Sequence, residues 1–102
     1  MFLDKYLDNF YYGLVYDNYD SSYLESLDEN NFVNVYNVFS KYNFYFINDI
    51  ILNYMELFEM EPNNVEKGIL KLREKLGNYF IYIIGNDMKY LNEIIDEKLE
   101  DE

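Results

Sequence analysis

The chain has 102 residues, half of them hydrophobic and 21% aromatic, and sets 20 acids against eight bases for a net charge of −12. That is apolar material for one core and too little chain for two, so a single domain over residues 1–102 is expected. Cysteine and histidine are both absent, which excludes disulfides, thiolate metal sites, thiol nucleophiles and imidazole bases.

Trp, Ala, Thr and Gln are also missing, while 13 Tyr and 14 Asn are present. The abundant residues are those written by A- and T-rich codons, so part of the tyrosine excess follows from a low-GC genome. A bacterium of that kind, or a virus or plasmid living in one, is the expected source. No basic leader opens the chain, and no stretch approaches the roughly 18 uncharged apolar residues that span a bilayer. A cytoplasmic protein is expected. The charge is uneven: residues 1–31 hold seven acids and one base, whereas residues 62–102 hold nine and six. Such a field repels nucleic acid and anionic membrane and draws in basic surfaces.

Taken in order, the hydrophobic spacing is mostly helical. Leu3, Tyr6, Leu7, Phe10 and Leu14 recur at three- and four-residue steps and predict one helix stripe. Residues 17–21, Asp-Asn-Tyr-Asp-Ser, read as a turn, after which Ser21 or Ser22 caps a short helical turn through Leu27. Asp28-Glu29-Asn30-Asn31 breaks the chain, and Asn30 or Asn31 caps a helix that carries Phe32, Val35, Tyr36 and Phe39 to about Tyr42-Asn43. A further helix over residues 44–59 buries Ile47, Ile50, Ile51, Tyr54 and Phe58.

Glu61-Pro62-Asn63-Asn64 is the clearest boundary. Asn63 with Glu66 resembles a capping box, Val65, Ile69, Leu72 and Leu76 form the apolar face, and Gly77 ends the helix. Lys67, Lys71 and Lys75 line one outer ridge. Residues 78–84 form a short apolar helix closed by Gly85. Their β-branched and aromatic content makes a strand over 79–84 the rival reading. Asp87 caps a last helix with Tyr90, Leu91, Ile94, Ile95 and Leu99 on its core face. The expected fold is all-α, a compact bundle of five to six short helices.

Catalysis has little to stand on. The four serines have no histidine to activate them, no glycine-rich phosphate cradle exists, and residues 17–21 lack the glycine and distal glutamate of a calcium loop. Pairs such as Asp17/Asp20, Asp28/Glu29 and Glu56/Glu59 read as solvated acids. No enzyme activity, cofactor or metal is expected.

Binding is the better-supported role. Tyr11, Tyr12, Tyr16, Tyr19 and Tyr23 are interleaved with Asp17, Asp20 and Glu25 and followed by Asp28 and Glu29. Tyrosine gives large contact area at small entropy cost, and carboxylates meet Arg and Lys or stand in for phosphates. These ten residues are the candidate partner-binding surface, although several of the rings could equally be core. The expected function is a small acidic inhibitor occupying the basic surface of a nuclease or other nucleic-acid-binding protein, without touching nucleic acid itself. Phage anti-defence proteins of the anti-CRISPR kind and nuclease-toxin immunity proteins share this profile of size and charge, a likeness that no motif carries. The alternative is an assembly module forming a homo-oligomer, such as a homodimer, through exposed aromatics.

Overall fold

Seven of the eight phenylalanines lie within or against the interior, and their sorting organises the fold. Phe2 meets Phe32 edge-on at 5.3 Å, Phe32 stacks on Phe58 at 4.6 Å, and Phe58 meets Phe39 at 5.7 Å. Phe39 then contacts Phe44, which touches both Phe46 and Phe80. The result is an aromatic spine through one continuous core filled out by Leu3, Val15, Leu24, Ile50, Ile51, Ile69, Ile84 and Leu91. Only Phe10 stands outside, 73% exposed.

The computed structural model describes residues 1–100, with side chains through Asp96. Seven α-helices carry the fold: α1 (Asn9–Asn18), α2 (Ser21–Glu25), α3 (Glu29–Lys41), α4 (Ile47–Asn53), α5 (Pro62–Leu76), α6 (Phe80–Asn86) and α7 (Asn92–Glu100). Short 3-10 turns occupy Phe2–Lys5, Met55–Glu59 and Met88–Leu91. The bundle is all-α, and no strand occurs among the described residues. The rival strand over 79–84 is thus overturned: Phe80 and Ile84, four apart, are buried on one helical face.

α1 packs on α4, and α5 packs on α3, α6 and α7. Cross-ties fix the registers. Asn31 donates through Nδ2 to the carbonyls of Phe58 (2.8 Å) and Met60 (2.9 Å), binding the start of α3 to the 3-10 turn Met55–Glu59. Glu66 accepts from Lys41 Nζ at 2.7 Å and from the Tyr42 hydroxyl at 2.6 Å, which joins α5 to the end of α3. Both bonds favour its charged form and hold its carboxyl below the usual range.

Helix ends follow local chemistry, with shifts from the sequence expectation. Asp28, not Asn30 or Asn31, caps α3 by accepting from Asn31 N–H at 3.0 Å. At the other end Asn43 takes φ 63°, and the Phe44 and Asn43 amides bond back to the carbonyls of Phe39 (3.1 Å) and Ser40 (3.0 Å). That is a complete Schellman terminator, and the Phe39–Phe44 ring contact is its hydrophobic clasp. α5 begins at Pro62, whose missing N–H costs nothing in a first turn, so Asn63 lies inside the helix and Glu66 is free for its tie to α3. Asp20, not a serine, precedes α2, and Ser21 is already helical. Gly77 ends α5 at φ 87°, where a side chain would be strained.

Two expected helices are interrupted. The stripe from Leu3 to Leu14 is divided by an extended residue at Asp8, which turns Phe10 to solvent while Leu3, Leu7 and Val15 stay buried. The run 44–59 is split at Tyr54. Met55, Leu57, Phe58 and Met60 are all buried, and no single stripe of an α-helix holds four such positions within six residues. A change to 3-10 winding lets all four point inward. Leu99 lies outside the described side chains.

Candidate functional site

A phenolic oxygen decides where each aromatic ring goes. Burying a hydroxyl without a partner costs free energy, and accordingly none of the 13 tyrosines is buried while six phenylalanines are. Nine tyrosines lie half-buried, with ring against the core and oxygen toward the rim; Tyr12, Tyr45, Tyr79 and Tyr82 are exposed.

The expected tyrosine cluster is a seam along this rim. Tyr11 donates to Asp49 Oδ1 at 2.8 Å, Tyr19 to the Leu52 carbonyl at 2.8 Å, and Tyr23 to Glu59 Oε2 at 2.6 Å. Tyr16 donates toward Asp4 Oδ1 at 3.3 Å and lies 3.0 Å from the Met1 sulfur. These bonds fasten α1 and α2 to α4, to the turn Met55–Glu59 and to the N-terminal turn. Four of the five expected anchors therefore have their hydroxyls engaged within the molecule. Tyr12 alone is exposed, at 41%, tilted against Tyr16 at 4.6 Å. Phe10, also in α1, lies edge-on to Tyr11 at 5.4 Å.

Around the seam the field is negative. Burial first, then the bond to Glu59 and the charge of Glu56, pushes the Tyr23 hydroxyl far above its ordinary range. Tyr16 is raised by burial and by Asp4, with Glu25 adding to it, and Tyr11 is raised chiefly by its bond to Asp49. Among the described residues no cation lowers any of these three, whereas Tyr42, beside α5, feels both Lys41 and Arg73. Asp4, Glu25, Glu56 and Glu59 thus gather around Tyr16, Tyr19 and Tyr23. Asp28 joins them across a cleft of about 350 Å³ that it lines with Ser26, Leu27, Asn31, Phe58 and Glu59.

Of the carboxylates expected at the site, Asp17, Asp20, Glu25, Asp28 and Glu29 are all exposed. The structure joins Glu25 and Asp28 to the seam. Glu56 and Glu59 were visible in sequence only as neighbouring acids, and their approach to Tyr23 depends on the turn at Tyr54. Asp4 and Asp49 gave no local signal. Among the described residues no three carboxylates converge as a metal ion would need, and no helix is long and apolar enough to cross a membrane.

A second exposed aromatic group lies elsewhere. Tyr79, Tyr82 and Tyr45 are 73%, 62% and 66% exposed, with Tyr45 and Tyr82 rings 6.0 Å apart. Gly85 lies inside α6, not beyond its end, and a Cβ there would fall 2.5 Å from the Tyr45 hydroxyl. The missing side chain is what lets Tyr45 lie along the helix.

Compared with known proteins, the chain matches no family model, no curated protein and no solved structure.

Proposed function

We propose that this protein is a small acidic inhibitor that binds the basic, nucleic-acid-handling surface of another protein and keeps nucleic acid from it. The observation that supports this reading is the seam of Tyr16, Tyr19 and Tyr23 carrying Asp4, Glu25, Glu56 and Glu59, on which no cation among the described residues acts. Asp4 and Glu59, held by the Tyr16 and Tyr23 hydroxyls, are acceptors at fixed spacing, and fixed acceptors lose less entropy on meeting Arg and Lys than free side chains do.

In mechanism, long-range attraction speeds encounter and contact area sets the lifetime. The carboxylates provide the first. Phe10 and Tyr12, exposed at the border of the same seam, provide the second, in place of the four tyrosines already bonded internally. No catalytic step, cofactor or metal enters. The charge and the apolar anchors suit the phage anti-defence and nuclease-immunity roles equally.

The experiment is capture of basic nucleic-acid-binding proteins from the producing cell on immobilised protein, followed by association kinetics on any one captured. Glu25→Lys with Glu56→Lys should slow association by about tenfold or more at low salt and flatten its salt dependence. Phe10→Ser should leave association alone and speed dissociation about tenfold. Capture that is indifferent to both changes would discard the reading.

A further inference from the structure

We infer that Tyr45, Tyr79 and Tyr82 form the contact through which two copies of this chain associate. The inference starts from charge. Two bodies of −12 repel, and that repulsion opposes contact least where neither copy brings a carboxylate. Residues 76–86 and 42–48 contain no charged side chain at all, and these two segments supply the three tyrosines. A foreign partner would be under no such restriction and would be drawn to the acidic side instead.

The chemistry of the patch is also self-matching, as a two-fold contact requires, because the same surface must serve as both halves. A tyrosine hydroxyl or an asparagine amide both donates and accepts, and an aromatic ring offers a negative face and a positive edge to its own kind. Asn78, just before α6, and Asn86, its last residue, are both exposed. Tyr79 is the residue at the start of α6 and Tyr82 lies in its first turn, with Tyr45 laid beside Tyr82 over Gly85.

Area bounds the strength. Three tyrosines at 62–73% exposure offer roughly 400 Å² per copy. A standard interface uses about 800 Å² per partner, so the rings supply half and Asn78, Ile83 and Asn86 extend the patch. A dimer held at the order of micromolar follows from an interface at this lower limit.

Sedimentation velocity across nanomolar to high-micromolar concentration tests this. The wild-type protein should pass from monomer to dimer and do so several-fold more tightly at high salt, since salt screens the repulsion between copies. Tyr79→Glu and Tyr82→Glu should each weaken the dimer by about 30-fold or more, with the helical circular dichroism unchanged, while Tyr12→Glu on the acidic side leaves it intact. Nitration of the wild-type protein provides a second measurement independent of variants: Tyr45, Tyr79 and Tyr82 should be protected in concentrated samples and reactive in dilute ones. A chain that stays monomeric at high-micromolar concentration in high salt overturns the inference. So does a dimer that survives both substitutions, or one whose three tyrosines nitrate equally at both concentrations.

Discussion

At the scale of single residues, Phe and Tyr differ by one oxygen, and this protein puts nearly all of the first inside and none of the second. The oxygen must keep a partner, and at Tyr23 the partner is the carboxylate of Glu59 at 2.6 Å. Tyr23→Phe should therefore cost about 1.5 kcal/mol, the low end for a bond to a charged group because this one lies at the surface, read as a lower denaturant midpoint at unchanged slope. The same residue sets an alkaline limit. Its hydroxyl is held protonated above its ordinary 10.0, so the folded state keeps a proton that the unfolded chain releases. That stability is fully present below pH 10 and is lost as pH rises beyond it. Urea midpoints taken from pH 8 upward should fall above pH 10, and Tyr23→Phe should fall less steeply; parallel profiles would show that Tyr23 does not set this limit. Composition alone displayed thirteen tyrosines without separating rim from surface. The separation depends on which strip of chain faces each ring, and that is long-range: Tyr23 lies 36 residues from Glu59 and Tyr11 38 from Asp49.

At the scale of elements, α5 and α7 approach so closely that Gly68 has no room for a side chain. A Cβ there would meet Ile94 Cγ1 at 2.7 Å and Cγ2 at 2.8 Å. Alanine is favoured over glycine in a helix by about 1 kcal/mol, yet overpacking a core costs about 1–3 kcal/mol, and the second effect wins. Gly68→Ala should destabilise the protein. In an Ile94→Ala background, where the obstructing Cγ1 and Cγ2 are gone, the same change should become neutral or favourable, and a double-mutant cycle on thermal unfolding reads the difference. Equal costs in both backgrounds would mean that Ile94 is not the obstacle. The contact also explains what sequence can and cannot reveal about this fold. α3 and α5 were legible because one side of each is apolar: Phe32, Val35 and Phe39, then Val65, Ile69 and Leu72, are all buried as their spacing requires. Residues 3–14 and 44–59 were not, because their apolar residues serve two directions of burial. Periodicity reports a stripe, and it does not report where the chain must bend to use a second one.

At the scale of the whole molecule, charge and aromatic surface are divided between two regions with opposite responses to salt. The proposed complex built on Glu25, Glu56 and Glu59 should weaken as ions screen it, whereas the proposed pairing through Tyr45, Tyr79 and Tyr82 should strengthen, so one salt series separates them. Folding itself should respond as the dimer does. The chain packs a net −12 within a radius of gyration of 13.4 Å, against about 30 Å for an unfolded chain of this length, and like charges held close oppose the folded state. Ion pairs such as Lys41–Glu66 and Lys75–Glu93 pull the other way, but both lysines are more than half exposed and surface pairs contribute between zero and about 1 kcal/mol. Repulsion among the unpaired acids should outweigh them. Raising ionic strength from about 0.01 to 0.15 M shortens the screening length from about 30 to 8 Å. If that relieves about 1 kcal/mol, Tm rises by roughly 4–8 °C. Glu25→Lys, which removes one acid from the crowded side and adds a cation, should raise Tm at low salt and reduce the gain on adding salt. A Tm that instead falls with salt would mean that the ion pairs dominate, and that the negative field around the tyrosine seam is too weak to steer a partner.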